Sequence, residues 1–174
     1  MTMRASVWSE QNGEITTLVT SDGTTGEQWI PRLEAKGYRM GEYDKALLLS
    51  PGFKPTSGLT TKLVILKDSL FQASDLYSLK VRASAEKRGL ASPNPEVACL
   101  LRELLTDKDI EAVGLWWLVV MHDLIKGSFG GQALLVVSRS NNGSWLSSSY
   151  HMPNALWWDG GYGFVFAVGS SGFG

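Results

Sequence analysis

Hydrophobic residues recur with helical spacing in the middle of the chain and predict its clearest helix. Between residues 97 and 105 they stand at i, i+3, i+4, i+7 and i+8, which places them on one stripe of a helix. Asn94 suits the N-cap of this helix, and Pro95 suits its first position, where a missing N–H costs nothing. The pattern therefore predicts a helix that packs on a core through its stripe, with Arg102 and Glu103 off that stripe.

A strand with two hydrophobic faces follows this helix. The seven residues 115–121 include no polar residue, so both faces of the strand require burial, as in the central strand of a sheet. Thr106 and Asp109 have the spacing of a capping box, which predicts a short helix just before the strand. Gly114 is suited to end that short helix.

The chain before this segment carries signals for one hairpin, three helices and one strand. Asn12 and Gly13 form a two-residue turn signal between strand-forming residues, which predicts a hairpin over residues 5–20. Clusters of glycine and proline separate the elements that follow. These elements are a helix over 27–36 with Pro31 in its first turn, a helix over 42–49, a strand over 59–68, and a helix from Ser74 or Asp75 to about Arg88 with Leu76, Leu79 and Ala83 on its apolar side.

Three more strands are predicted after the hydrophobic strand, over residues 133–138, 144–151 and 163–168. Asn142 and Gly143 turn the first of these strands back into the second. The strand over 163–168 is apolar on both faces and has no charge to protect an edge. It is therefore either paired on both sides or placed at a subunit contact, and the second alternative predicts a C2 homodimer.

Helices and strands are segregated along the chain, which is typical of the α+β class. The 174 residues are enough for one hydrophobic core. We expect a single domain over 1–174, in which 1–20 form a hairpin leader and 169–174 a frayed tail. Its antiparallel sheet of about four to six strands carries three to five helices, packed mainly on one face.

Composition excludes several classes of protein. The formal net charge of −1 provides no overall field for nucleic acid or an anionic membrane. Cys99 is the only cysteine, which rules out an intrachain disulfide and favours a small buried thiol over a nucleophile. The longest apolar run is too short to span a membrane, and the N-terminus lacks the apolar run of a signal peptide. We expect a cytoplasmic protein without a cofactor.

Five stretches of the chain carry a resemblance to known sequences. They are TTGEQWIPRLEAKGY (24–38), SPGFKPT (50–56), NPEVACLLREL (94–104), GLWWLVVMH (114–122) and GFVFAV (163–168). Together they resemble a group of small bacterial proteins, some of them from mobile gene cassettes. In that group a glutamate and a proline often follow the histidine that corresponds to His122, where this chain has Asp123 and Leu124. No activity is assigned to the group, so the resemblance implies no function.

Two histidines and an aspartate stand at predicted strand ends. His122 and Asp123 follow the hydrophobic strand, and His151 ends a later strand. If the two strands run parallel across an antiparallel one, both histidines lie at the same edge of the sheet. This set could act as acid and base in a small hydrolase, or bind a divalent metal, although no metal-binding spacing such as HExxH is present. Histidines at strand ends more often bond to loops.

Aromatic residues concentrate in the last third of the chain and provide the leading functional hypothesis. Five of the seven tryptophans stand at 116, 117, 145, 157 and 158. Trp116 and Trp117 point to opposite faces of one strand, so at least one of them belongs to the core. Loop aromatics can stack on a small ligand, anchor a protein partner or cover the core. The hypothesis is a non-catalytic binding module that uses Trp145, Tyr150, Trp157, Trp158 and Tyr162.

A third hypothesis concerns the basic face of the helix that ends near Arg88. Lys80, Arg82, Lys87 and Arg88 could contact phosphate groups of a nucleic acid. Glu86 interrupts this face and the chain as a whole is nearly neutral, so a solvated helix face is the favoured interpretation.

Overall fold

One mixed β-sheet carries the fold. The computed structural model describes residues 7–127, 131–150, 155–157 and 160–169, and nine strands within these ranges form a single sheet. The strands are β1 (Ser9–Gln11), β2 (Glu14–Asp22), β3 (Ser57–Lys67), β4 (Leu90–Ala91), β5 (Trp117–Val120), β6 (Ile125–Lys126), β7 (Gln132–Ser140), β8 (Gly143–Tyr150) and β9 (Tyr162–Val168). The α-helices are α1 (Gly26–Glu34), α2 (Glu42–Leu48), α3 (Ser78–Lys87), α4 (Glu96–Leu104) and α5 (Asp107–Ala112).

The sheet confirms the predicted α+β class, but it is larger than four to six strands and is not purely antiparallel. Its long strands follow the order β2, β3, β9, β5, β7, β8, with β1 on the outer edge of β2. The pair formed by β5 and β9 is parallel. The short strands β1, β4 and β6 contain too few residues for a period-two pattern to appear in the sequence.

The five helices divide unequally between the two faces of the sheet, in agreement with the prediction that they pack mainly on one face. Helices α1, α2, α4 and α5 contribute to one hydrophobic cluster, through residues such as Trp29, Leu47, Leu101 and Ile110. Helix α3 contributes to the cluster on the opposite face. No helix in the described part of the chain is long and apolar enough to cross a membrane.

Two predicted turn and cap signals are confirmed. Asn12 and Gly13 have φ values of 55° and 83°, as a type I′ hairpin turn requires, and they join β1 to β2. Thr106 and Asp109 form a complete capping box at the start of α5. Pro31 lies in the second turn of α1 instead of the first, because the helix begins at Gly26, one residue after the capping residue Thr25.

Helix α4 buries one residue that its hydrophobic pattern places off the stripe. Arg102 is fully buried. Its guanidinium donates to the backbone carbonyls of Ser138 at 2.9 Å, Leu105 at 2.8 Å and Trp145 at 3.2 Å. These acceptors compensate for the loss of water around the charge, and they join α4 to the hairpin of β7 and β8.

Helix α3 turns a different side to the core from the predicted one. It begins at Ser78, after two short 3-10 turns, and not at residue 74 or 75. Val81 and Ala85 are buried, whereas Leu79 is 60% exposed and Ala83 is exposed. The predicted apolar side was therefore wrong for Leu79 and Ala83. The helix begins at Ser78, after Leu76, and its buried side is the one that carries Val81 and Ala85.

Strand β9 is internal, which resolves the two alternatives given for residues 163–168. It pairs with β3 on one side and with β5 and β4 on the other. The strand therefore provides no free edge for a subunit contact, and a homodimer through this strand has no support. A homodimer that forms through another surface stays a prediction.

Candidate functional site

A cleft opens where large side chains on the sheet stand beside small ones. On the face that carries α3, the register places Trp117 between Tyr162 of β9 and Ser138 of β7. One row further, Val136 of β7 lies beside Ser147 of β8. Because the side chains in these rows change in size from aromatic to small, a cleft of about 210 Å³ is left between them. It is lined by Trp117, Val119, Val136, Ser147, Ser148, Ser149, Trp157 and Tyr162.

Stacked aromatic rings form one wall of the cleft. The rings of Trp117 and Tyr162 lie 4.6 Å apart between centroids and are inclined by 24°. Trp157 packs across Phe164 at 5.0 Å and 60°, and lies 6.2 Å from Tyr162. These contacts between neighbouring rings stabilise the packing of the side chains and hold the wall in place.

Two backbone hydrogen bonds fix this wall to the segment that precedes α3. The N–H of Trp157 donates to the carbonyl of Leu76 at 2.9 Å. The N–H of Tyr162 donates to a carboxylate oxygen of Asp68 at 3.1 Å. The aromatic wall is therefore attached to the fold on the side away from β8.

Serine residues of β8 form the opposite side. The hydroxyl of Ser147 lies 3.1 Å from that of Ser138, and its contact with the carbonyl of Val136 is 3.4 Å long. The hydroxyl of Ser148 lies on the other face of the sheet, where it donates to Asp44 at 2.6 Å, so Ser148 lines the cleft with its main chain. The hydroxyl of Ser149 makes no hydrogen bond to any described residue.

The described lining of the cleft carries no charged side chain. The described residues that line it include three aromatic residues, two valines and three serines, without a lysine, arginine, histidine, aspartate or glutamate. Its polar groups are hydroxyls and main-chain groups, which both donate and accept hydrogen bonds. The arrangement can hold a small neutral molecule with an apolar face and polar substituents.

The aromatic residues predicted for ligand binding separate into three groups. Trp157 and Tyr162 line the cleft, and Trp158 lies outside the described residues. Trp145 does not line it, because its indole N–H donates to Asn142 at the hairpin turn. Tyr150 does not line it either.

The position of Tyr150 follows from the alternation of side chains along β8. Ser149 faces the cleft, so the next residue points to the other face of the sheet. There the ring of Tyr150 stacks on Tyr43 with a centroid distance of 6.4 Å, and it is 61% exposed.

Of the eight residues that line the cleft, sequence reasoning assigned only Trp157 and Tyr162 to a site. It placed Trp117 among possible core residues and assigned Ser147 and Ser149 to no site. The alternation of these two serines is visible in the sequence. The missing information was the strand order and register, which put Ser147 one row from Trp117 on the same face of the sheet.

His122 has a structural environment. It is fully buried, and its Nε2 accepts the N–H of Leu135 at 3.0 Å. Its Nδ1 lies 2.7 Å from the carbonyl oxygen of Asp123, which identifies Nδ1 as the protonated nitrogen. Burial lowers the pKa of His122 to about 4. Since both nitrogens are engaged with the backbone, neither is available to bind a metal or to accept a proton from a substrate.

The rest of the predicted histidine set does not form a site in the described structure. β5 and β8 do run parallel across β7, as that hypothesis required, but His151 lies outside the described residues. Within the described ranges no group of three histidine, cysteine, aspartate or glutamate residues could hold a metal ion. The only cysteine, Cys99, is fully buried, and burial raises the pKa of its thiol well above the usual value.

The basic residues proposed for nucleic acid do not form a free basic face. Arg82 donates to the carbonyls of Met121 at 3.1 Å and His122 at 2.9 Å, and burial lowers its pKa. Arg88 forms an ion pair with Glu14. Lys80, Lys87 and Arg88 are exposed, but the charge of Arg88 is paired, and two lysines provide little electrostatic attraction to a phosphate backbone.

A larger surface groove of about 690 Å³ lies along β1 and β2. Its hydroxyl groups are committed to partners within the hairpin. Ser9 and Thr16 bond through their side chains at 3.1 Å, and Thr17 donates to the carbonyl of Val7 at 2.8 Å. The groove is therefore less suited to recognise a polar ligand than the cleft beside Trp117.

Comparisons of this chain with protein-family models, with curated proteins and with solved structures found no match. The resemblance to small bacterial proteins stays a prediction.

Proposed function

We propose that the protein is a binding module whose cleft between Trp117 and the serines of β8 takes a small uncharged ligand. The observation that carries this proposal is a single cleft with a stacked aromatic wall and a serine-lined side, without a charged residue among the described residues that line it. Apolar walls with a few placed polar groups are typical of small-molecule sites. Trp157 and Tyr162, which the sequence had indicated, both belong to this wall.

The volume of the cleft limits the size of the ligand. About 210 Å³ is below the roughly 300–1,000 Å³ of pockets that enclose drug-sized molecules. At about 30 Å³ per molecule of liquid water, it corresponds to about seven waters. The ligand, or the part of it that enters the cleft, is therefore about the size of one ring with its substituents.

The lack of charged side chains favours a neutral ligand. An ion that leaves water for a cleft without a partner of opposite charge loses several kcal/mol of solvation, on the order of the penalties for unpaired buried ions. Hydroxyl and main-chain groups do not supply a compensating charge. We therefore expect neutral molecules to bind in preference to carboxylates, phosphates or ammonium ions of similar size.

A hydrolase or metal enzyme based on His122, Asp123 and His151 is not proposed. Both nitrogens of His122 are engaged with backbone groups, and its low pKa keeps it neutral at physiological pH. No observation on the described residues favours that chemistry.

A variant of Trp116 provides the control for a test of the binding role. Trp117 lines the cleft, whereas Trp116 does not, and its ring lies 3.6 Å from the guanidinium of Arg139. The test is a fragment screen by ligand-observed NMR with the full chain, using neutral and charged ring compounds. Neutral fragments should bind the wild type and the Trp116→Phe variant.

A variant that fills the cleft provides the other half of this test. Ser147→Leu puts a larger apolar side chain opposite Val136 on the edge strand β8, and should block neutral fragments without unfolding the chain. If the same fragments bind Ser147→Leu as tightly as wild type, or if only charged fragments bind, the proposed function is wrong.

A further inference from the structure

The two unlike sides of the cleft are its most informative feature. On one side the rings of Trp117 and Tyr162 are stacked, with centroids 4.6 Å apart, and Trp157 lines the cleft beside them. In the row of Trp117, its neighbour on β7 is the small residue Ser138. The cleft therefore presents an aromatic wall on one side and the serines of β8 on the other.

This asymmetry distinguishes between two classes of neutral ring. A flat aromatic ligand has two apolar faces, and a cleft built for it would cover both of them with apolar groups. A sugar ring has an apolar patch of C–H groups on one side and hydroxyls around its rim. An aromatic wall opposite a row of serine hydroxyls matches the second class.

The polar side of the cleft matches a set of sugar hydroxyls in its hydrogen-bonding chemistry. The hydroxyl of Ser149 can donate and accept, as sugar hydroxyls also can. The hydroxyl of Ser147 is bonded to Ser138 and donates to the carbonyl of Val136, so it offers a ligand its remaining lone pair as an acceptor. The two serines stand two residues apart on β8 and so point to the same face. Their spacing lets one ring reach both hydroxyls.

The main chain of Ser148 adds a third polar contact. The segment at Arg39 pairs with the outer edge of β8 only near Ser144 and Leu146. Beyond Leu146, β7 is the only strand among the described residues that pairs with β8. The outward main-chain groups of Ser148 therefore stay at an open sheet edge beside the two hydroxyls.

From this geometry we infer that the cleft binds a neutral saccharide, with one pyranose ring on Trp117 and its hydroxyls on Ser147 and Ser149. This inference rests on the proposed function and specifies its ligand class. The volume of about 210 Å³ admits one ring, so the site recognises a monosaccharide or the terminal ring of a longer glycan.

Saturation-transfer NMR with the full chain tests this inference. The probes are methyl β-D-glucopyranoside, methyl β-D-galactopyranoside and methyl α-D-mannopyranoside, with indole and adenine as flat aromatic comparators. At least one glycoside should bind, with the strongest transfer to the C–H protons of one face. Ser149→Ala removes one hydrogen bond and should weaken that glycoside about tenfold. Trp116→Phe should leave its affinity unchanged.

The outcomes separate the ligand class from the binding role. Binding of indole or adenine that Ser147→Leu abolishes, without glycoside binding, overturns the saccharide inference and leaves the proposed function standing. Glycoside binding that neither Ser149→Ala nor Ser147→Leu weakens also overturns the inference, because the sugar then binds elsewhere. If no probe binds at millimolar concentration, both the inference and the proposed function fail. Amide spectra of each variant check that it is folded.

Discussion

Replacing His122 by glutamine is expected to remove a pH dependence from the stability of the fold. The imidazole is buried in its neutral form, with Nε2 accepting from the N–H of Leu135 and Nδ1 donating to the carbonyl of Asp123. Its surroundings lower its pKa from 6.5 to about 4, chiefly by burial. A glutamine side chain retains one acceptor and one donor but does not titrate in this range.

The sign and size of the effect follow from the two pKa values. The unfolded state takes up the proton at a higher pH than the folded state, so stability is complete above pH 6.5 and is lost as the pH falls towards about 4. Since one pKa unit corresponds to about 1.36 kcal/mol, the shift from 6.5 to about 4 can change the unfolding free energy by about 3 kcal/mol in total. Between about pH 7.5 and about pH 5 the expected loss is about 2 kcal/mol.

Other shifted groups titrate below this window. The pKa of Asp22 is lowered to about 2 by hydrogen bonds from Thr24 and Arg32. Hydrogen bonds from Arg32 also lower the pKa of Glu103. Since the folded pKa of each carboxylate is depressed, its contribution is lost only as the pH falls below the ordinary values of 3.8 and 4.5.

Urea denaturation at several pH values measures the effect directly. The wild type should lose about 2 kcal/mol of unfolding free energy between about pH 7.5 and about pH 5, and the His122→Gln variant less than about 0.5 kcal/mol. A wild-type stability that does not change over this range would refute the assigned environment of His122. Equal slopes for the two proteins would show that another group is responsible.

Three further substitutions test the packing of the helices by urea or thermal denaturation. Arg102→Met leaves backbone carbonyls of the buried cluster without their donor and should cost about 3 kcal/mol; a cost below about 1 kcal/mol would contradict the burial of this charge. Val81→Ala should lower the unfolding free energy by about 2 kcal/mol, because Val81 is fully buried. Leu79→Ala should lower it by less than about 0.5 kcal/mol, because Leu79 is 60% exposed. A larger loss for Leu79→Ala than for Val81→Ala would show that α3 turns its other side to the sheet. Thr106→Ala removes the capping hydroxyl that accepts from Asp109 and should cost about 1 kcal/mol, with unchanged stability as the contradictory result.

Local signals in the sequence predicted the elements that depend on neighbouring residues. The turn at Asn12 and Gly13 and the capping box at Thr106 need only a few adjacent residues, and both are present. The two apolar faces of β5 correctly indicated a strand with neighbours on both sides, here β7 and β9. These features are set by backbone conformation and burial within one segment.

The features that the sequence did not predict depend on contacts between distant segments. Arg102 is buried because carbonyls of Ser138 and Trp145, more distant in the chain, meet its guanidinium. The cleft depends on the register that places Ser147 beside Val136, and on the parallel pairing of β5 with β9. A period-two pattern shows which residues of a strand share a face, but not which strand lies next to it.

A titration followed by amide and indole NMR tests the binding of a saccharide in the cleft most directly. Methyl β-D-glucopyranoside and the two other glycosides are added to the isotope-labelled full chain, and the resonances that shift are mapped on the fold. The account predicts saturable shifts for the amides of Ser147 and Ser149 and for the indole N–H groups of Trp117 and Trp157. Shifts confined to the groove along β1 and β2, or no saturable shift with any glycoside, would contradict it.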